Sequence, residues 1–386
     1  MKRVGIITIH NSPNYGACLQ SYALYKYIEQ QGTYCEIMDV HRPVHEDYIY
    51  ERQYSSYRNN QFKLSIRFKK VLKNILKNFV GQEMVVKQFT STVSEERFKQ
   101  FNSSIKYSKV YNKLSDLKKN PPIYDLYISG SDQLWNPAQP YCLEPYFLTF
   151  VPQGKEKISF ATSIGLSELT QQEKADFKKW LSSYDAVSVR EKQAKSLLDS
   201  FVKREVEQVA DPTFLLDTSY WKEVAVFPKI EKKYILLFLL SHNKDILDYA
   251  SRLSHESGLL LIVLKNSNLQ STKGKYIVDN DCGPREFIGY LGHASMVITD
   301  SFHCTVFSLL MGAENFYTYI NVAAKRGSRI TDLLATFELD DHLLPPEFSK
   351  SYQELTTVPI NKEKVIETIE KEKIHARAFL DKWIKA

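Results

Sequence analysis

The chain has 386 residues, 43% of them hydrophobic and 25% charged, the composition of a folded globular protein with room for two domains, which excludes a disordered or fibrous one. Its longest apolar runs, 234–240 and 258–264, are strand-sized and far below the roughly 18 residues of a membrane span, so a transmembrane protein is excluded. The net charge of +6 is uneven, with 16 Lys/Arg against 5 Asp/Glu in residues 51–120, and this points to an anionic partner, either nucleic acid or an anionic membrane surface.

In chain order, residues 4–9 predict a buried strand, too short for a signal sequence, followed by a loop with Pro13, Asn14 and Gly16, a helix from Leu19 to Gly32 and a strand at 35–40. This opening places residues 11–16 at the carboxyl end of a strand, where Gly16 permits close approach to a ligand. Within 62–79, Leu64, Phe68, Val71, Leu72, Ile75 and Phe79 share a helical face while Arg67, Lys69, Lys70, Lys73 and Lys77 lie largely elsewhere. That basic amphipathic helix fits surface packing first and membrane docking second. Alternation resumes with strands at 124–128, 158–162 and 186–189 and helices at 171–182 and 191–199, and Pro212 marks a boundary near 211. The second half repeats the style, with strands at 234–240, 259–263, 296–299 and 316–320 and helices at 245–257, around 284–291 and from Thr305. A last helix over 362–385 would bury Ile366, Ile369, Phe379, Leu380 and Trp383. The expectation is therefore an α/β protein of two Rossmann-like domains with an interdomain cleft: 1–210 with a basic helical insertion at about 41–120, then 211–360, then a C-terminal helix at 361–386.

The five cysteines, Cys18, Cys35, Cys142, Cys282 and Cys304, form no close pair, so neither a zinc knuckle nor a disulfide framework is suggested and a reducing cytoplasm fits best. No dinucleotide, P-loop or zincin motif occurs, and Asp300, His303, Asp281 and His293 lack a metal-ligand spacing. Three clusters remain. The first is Met296 to His303, a β-branched strand ending in a polar turn before a helix, which puts His303 where a helix N-terminus attracts anions and where an imidazole can act as a general acid. The same residues also fit a plain cap, with Asp300 or Ser301 as N-cap. The second, Ser129 to Asn136, combines hydrogen-bonding groups with an indole, as sugar sites do, or forms a turn with Asp132 as cap and Trp135 as core anchor. In the third, Arg190 and the group Lys325, Arg326 and Arg329 follow strands and match phosphate or carboxylate, although Arg190 with Glu191 also reads as a surface pair and the later group as a solvated loop.

Taken together these segments resemble the polysaccharide pyruvyl transferase family: Asn14-Tyr15-Gly16-Ala17, Leu19 to Leu24, Gly130-Ser131-Asp132-Gln133-Leu134-Trp135-Asn136, Ala161-Thr162-Ser163-Ile164-Gly165, Ser188-Val189-Arg190-Glu191, Asp211-Pro212-Thr213 and Thr299-Asp300-Ser301-Phe302-His303. Each is weak alone, but their order is specific. The resemblance implies a GT-B-like fold and transfer of the pyruvyl group of phosphoenolpyruvate onto two hydroxyls of a sugar as a ketal. It implies His303 and Arg190 as catalytic residues, and Asn14, Gly16, Ser163 and Ser301 on the donor side. Asp132, Trp135 and Asn136 would face the acceptor, with no metal, nucleotide or other cofactor. The chain departs from the family in having Ala17 where an acidic residue is common, and Ser301-Phe302-His303 where Arg-Leu-His is common, so Lys325, Arg326 or Arg329 is expected to supply the missing cation. The expected partners are phosphoenolpyruvate and a sugar or lipid-linked oligosaccharide, with peripheral contact to an anionic membrane at its inner face and no nucleic acid. The alternative is a GT-B glycosyltransferase using a nucleotide sugar.

Overall fold

The computed structural model describes residues 2–41, 91–139, 141–241, 243–264, 276–320 and 328–385. The basic amphipathic segment 62–79, Lys325 and Arg326 lie outside them.

Short apolar strands buried on both faces need a sheet covered by helices, and parallel pairing with helical crossovers supplies it. The first sheet contains β1 (Arg3–Ile7), β2 (Tyr34–Ile37), β3 (Leu126–Ser129) and β4 (Glu156–Ser159) in the order β2-β1-β3-β4. β5 (Val187–Val189) and β6 (Val206–Gln208) form a parallel pair that continues it through the single bridges Ile158 to Ala186 and Thr162 to Val189. The second sheet contains β7 (Tyr234–Phe238), β8 (Leu260–Leu264), β9 (Ile277–Asp279), β10 (Met296–Thr299) and β11 (Phe316–Thr318) in the order β11-β10-β7-β8-β9. Every pairing within the two sheets is parallel.

The helix Tyr15–Gln30 is buried along most of its length, packing under the first sheet and against the turn Pro212–Leu215 and the helices Pro284–His293 and Phe302–Met311 of the second half. Tyr15 stacks on Phe287 at 4.5 Å and its hydroxyl donates to the Cys282 carbonyl at 3.1 Å. One buried apolar cluster runs from Val4 and Leu19 through Phe214 and Trp221 to Phe287 and Phe307, so the two halves share a core. The helix Lys362–Ile384 returns to the first half: Phe379 meets Phe160, Lys2 Nζ donates to the Trp383 carbonyl at 2.6 Å, and Arg377 Nη2 donates to the Leu215 carbonyl at 2.6 Å.

Three expectations change. Ile366, expected inside, is 61% exposed, because the buried stripe of the last helix runs through Val365, Ile369, Ala376, Phe379 and Leu380. The helix expected from Thr305 begins at Phe302, since the Ser301 hydroxyl accepts from the Cys304 amide and starts it one turn earlier. The 41–120 segment is not wholly insertion: its described part holds the helix Thr92–Asn102, whose Phe98 and Phe101 enter the shared core. Among the described residues no helix is long and apolar enough to cross a membrane.

Candidate active site

In each sheet the strand order reverses once, between β1 and β3 in the first and between β7 and β10 in the second, and the crevice beyond such a reversal is where open α/β sheets hold ligands. The two crevices face each other. From the first come the loop after β1, which ends at Gly16, and the turn after β3, with Asp132. From the second comes the start of the helix Phe302–Met311, with His303. Gly16 approaches His303 so closely that a Cβ there would stand 2.2 Å from the imidazole Nδ1. The absent side chain is what lets the first turn of one helix seat against the ring carried by the other.

The other ring nitrogen, Nε2, lies 3.3 Å from Asp211 Oδ2 and 3.4 Å from Arg190 Nη1. Asp211 begins the turn Pro212–Leu215, with proline at the first position, and its Oδ1 accepts from the Thr213 amide at 3.0 Å and hydroxyl at 2.8 Å. That fixes Oδ2 against both His303 and Arg190, whose Nη1 donates to it. Arg190, just beyond β5, also places Nη2 3.6 Å from Asp132 Oδ1 and Nε 3.6 Å from Glu191 Oε1, and stands 4.4 Å above the Phe302 ring. Among the described residues Nε and Nη2 make no hydrogen bond, and both are buried facing these carboxylates, so the guanidinium is a buried cation set among Asp132, Glu191 and Asp211. Arg329 stands over the same Phe302 ring at 5.8 Å, and with Arg190, Glu191 and Asp211 it lines a small cavity.

The charges around this arginine are tuned differently. Burial alone would raise the Asp211 carboxyl, but the charges of His303 and Arg190 and the bonds from His303 and Thr213 reverse this and hold it well below the usual carboxylate range. Asp132 follows the same pattern: burial pushes it up, and Arg190, His303 and Arg329 override it and lower it. At Glu191 burial wins, and its carboxyl is raised despite Arg190, Arg329 and Ser163.

The structure therefore brings together His303, Arg190, Asp132, Gly16 and Arg329 from the sequence-level set. Ser163 sits beneath them, its amide donating to the Asp132 carbonyl at 2.9 Å and its hydroxyl beside Glu191. Asn14 and Ser301 are helix caps, accepting from Ala17 and Cys304 amides at 3.1 and 3.3 Å. Two acceptor-side expectations are corrected. Trp135 is 0% exposed, stacked on Phe147 at 4.7 Å with its indole N–H donating to the Tyr146 carbonyl, so it anchors the core and touches no cleft. Asn136 is buried and closes its own turn with Gln133 and Ala138. Arg190 and Glu191 are likewise no surface pair, as each side chain is 2% exposed. Asp300 does not cap the helix but clasps the end of β7 through the amides of Leu240 and Ser241 at 2.6 and 3.1 Å.

The sequence reading missed the part played by Asp211, reading Asp211-Pro212-Thr213 as a domain boundary and a family motif with no site role. An acidic residue before proline and threonine is itself an N-cap pattern, and that signal would have placed a fixed carboxylate there.

A model of the polysaccharide pyruvyl transferase family matches residues 14–319. Among solved structures, Arabidopsis thaliana UGT89C1 complexed with UDP-L-rhamnose aligns over 100% of this chain and 98% of its own with a TM-score of 0.53 and 10% identity. The same protein complexed with quercetin aligns over 100% of both chains with a TM-score of 0.52 and 10% identity. At such identity the likeness concerns the fold alone, a GT-B-like pair of Rossmann-like domains. No curated protein matched this sequence.

Proposed function

The chain belongs to the polysaccharide pyruvyl transferase family, and we propose on that footing that it moves the pyruvyl group of phosphoenolpyruvate onto two hydroxyls of a sugar in a cell-surface polysaccharide or its lipid-linked precursor. The observation that carries this reading is the seating of His303 between Gly16 and the Asp211–Arg190 pair, at the point where both crevices meet.

The reaction adds a proton to the enol carbon, leaving cationic character on the neighbouring carbon. A sugar hydroxyl adds there and releases its proton. The bond from that carbon to the phosphate oxygen breaks, phosphate leaves, and the second hydroxyl closes the ketal with loss of its own proton. His303 is placed to deliver the first proton, with the Asp211 carboxylate as counter-charge to its imidazolium. Arg190 supplies positive charge that attracts the donor's carboxylate or phosphate, and the first amides of the helix Phe302–Met311 add a second anion-binding element. Arg329, over the same Phe302 ring, would stand in for the family's arginine before Phe302, with Lys325 and Arg326 as the other candidates. The chemistry so written calls for no cofactor. Contact of the basic segment 62–79 with an anionic membrane would bring the cleft to lipid-linked acceptors, and vesicle sedimentation with Lys69, Lys70 and Lys73 neutralised checks it.

Calorimetry with phosphoenolpyruvate tests the reading on the wild type, His303→Ala and Arg190→Ala. Binding by the wild type and its loss in both variants is expected. Absence of binding in the wild type, together with stabilisation by a nucleoside diphosphate, would replace it with the nucleotide-sugar reading.

A further inference from the structure

Beyond the carboxyl ends of β1 and β2 lies a second, larger and more open cavity, which the reaction as described does not use. Asp39 organises it. His10 Nε2 and His41 Nε2 lie 2.9 and 3.1 Å from the same Asp39 Oδ1, while His10 Nδ1 is 3.2 Å from the Thr8 carbonyl. The Asp39 amide donates to Ser108 Oγ at 3.0 Å, so the residue is fixed through its backbone as well. Its side chain remains 19% exposed in the cavity wall, and Oδ2 makes no hydrogen bond among the described residues. Burial would raise this carboxyl, yet the bonds and charges of His10 and His41 bring it below its ordinary value, so it faces the cavity as an ionised acceptor. Tyr107, half-buried and 5.4 Å from the His10 ring, supplies aromatic surface over the buried Phe98, and Asn11 and Ser12 also line the cavity.

A fixed carboxylate acceptor and the Tyr107 ring in one concave site, with the half-exposed His41 beside them, form a tool set that recognises a polyol, with hydroxyls donated to the carboxylate and a C–H face laid on the ring. Other ligand classes fit less well. Both imidazoles are already engaged with the carboxylate, and among the described residues no group of His, Cys, Asp or Glu is placed to hold a metal ion. An ionised carboxylate in the wall repels phosphate, and Lys99, which also lines the cavity, is paired with Glu95 at 2.8 Å. The chain links the cavity to the catalytic cluster. The loop that carries Asn11 and Ser12 runs on to Gly16 against His303, and Thr8 Oγ1 donates to the carbonyl of Ser131, the neighbour of Asp132, at 3.3 Å.

We propose that the cavity walled by His10, Asp39, His41 and Tyr107 is a carbohydrate subsite that holds a neutral hexose unit of the acceptor, which rests on the transferase reading only for calling that sugar the acceptor. The test uses the full-length protein and the methyl glycosides of glucose, galactose and mannose, followed by saturation-transfer NMR, with phosphoenolpyruvate titrated into the same samples by calorimetry. At least one glycoside binds the wild type. Asp39→Asn and Ser12→Trp each weaken that binding about tenfold or more, the scale of a hydrogen bond to a charged group, while phosphoenolpyruvate affinity stays as in the wild type. Circular dichroism reports folding, and Ser12→Trp obstructs the mouth while leaving the Asp39 cluster in place. The proposal is overturned if no glycoside binds the wild type, if inorganic phosphate competes with the bound glycoside, or if either variant binds it as the wild type does. Failure of phosphoenolpyruvate to bind the wild type overturns the pyruvyl-transfer reading instead, and the glycoside result then stands or falls by itself.

Discussion

Asp211 carries three constraints on one carboxylate: Thr213 holds one oxygen, and Arg190 and His303 share the other. Its folded pKa lies below the unfolded value of about 3.9, so its contribution to stability is fully present above that value and is lost as pH falls toward the folded one. Asp211→Asn keeps the shape but leaves the buried Arg190 guanidinium short of its closest carboxylate, and a loss of about 3 kcal/mol at pH 7 is expected. Below pH ~4 the variant should lose less further stability than the wild type, because the group that titrates is gone. Denaturant unfolding across this range checks it, and parallel pH profiles for the two proteins would disprove the linkage. At this scale the sequence revealed His303, Arg190 and Asp132, since polar groups directly after β-branched strands have few places to go but a crevice. Trp135 was ambiguous, because an indole in a loop serves equally as a platform for a ligand or as an anchor. Only the position of Phe147 decides.

Between residues and molecule, the elements divide by how local their cause is. β10 (Met296–Thr299) was legible to the residue because an apolar run between Ser295 and Asp300 has one reading. β9 (Ile277–Asp279) and the helix Thr218–Val224 escaped, the first being a largely exposed edge strand and the second burying Trp221 alone. The last helix shows the limit of periodicity. Ile366 and Ile374 match its apolar repeat, yet they are 61% and 65% exposed, because the face that binds the first half is set by where Phe160, Asp217 and Leu215 lie. Phe379→Ala should therefore cost about 3–5 kcal/mol, as for a buried ring lost from a tight core. Ile366→Lys and Ile374→Lys should each stay within about 0.5 kcal/mol of the wild type. Thermal unfolding of the three variants separates these faces, and a large loss in either lysine variant would show that the outer face is covered.

The molecule as a whole is built so that neither half holds the chemistry alone: Gly16, Arg190 and Asp132 belong to the first sheet's connections, and His303 to the second's. Such an arrangement is invisible to periodicity, which reads neighbours in sequence, and the motifs signalled it only through their order. The contact between Gly16 and His303 makes the coupling measurable. In an otherwise open helical position Gly→Ala stabilises by about 1 kcal/mol. Here the new methyl would meet Nδ1 at 2.2 Å, and the ring cannot swing aside freely because Asp211 and Arg190 flank Nε2. A cost of about 1–3 kcal/mol is expected, as for overpacking a core, with pyruvyl transfer falling about 100-fold as the imidazole is displaced. In a His303→Ala background only the Cβ remains, 2.9 Å from the added methyl, and a small adjustment relieves it. Gly16→Ala should there cost at least about 1 kcal/mol less than in the wild type, a coupling energy between two elements distant in sequence. Denaturant unfolding of the four proteins of this cycle gives the number. Additive losses would mean that the two halves do not meet at this contact in solution.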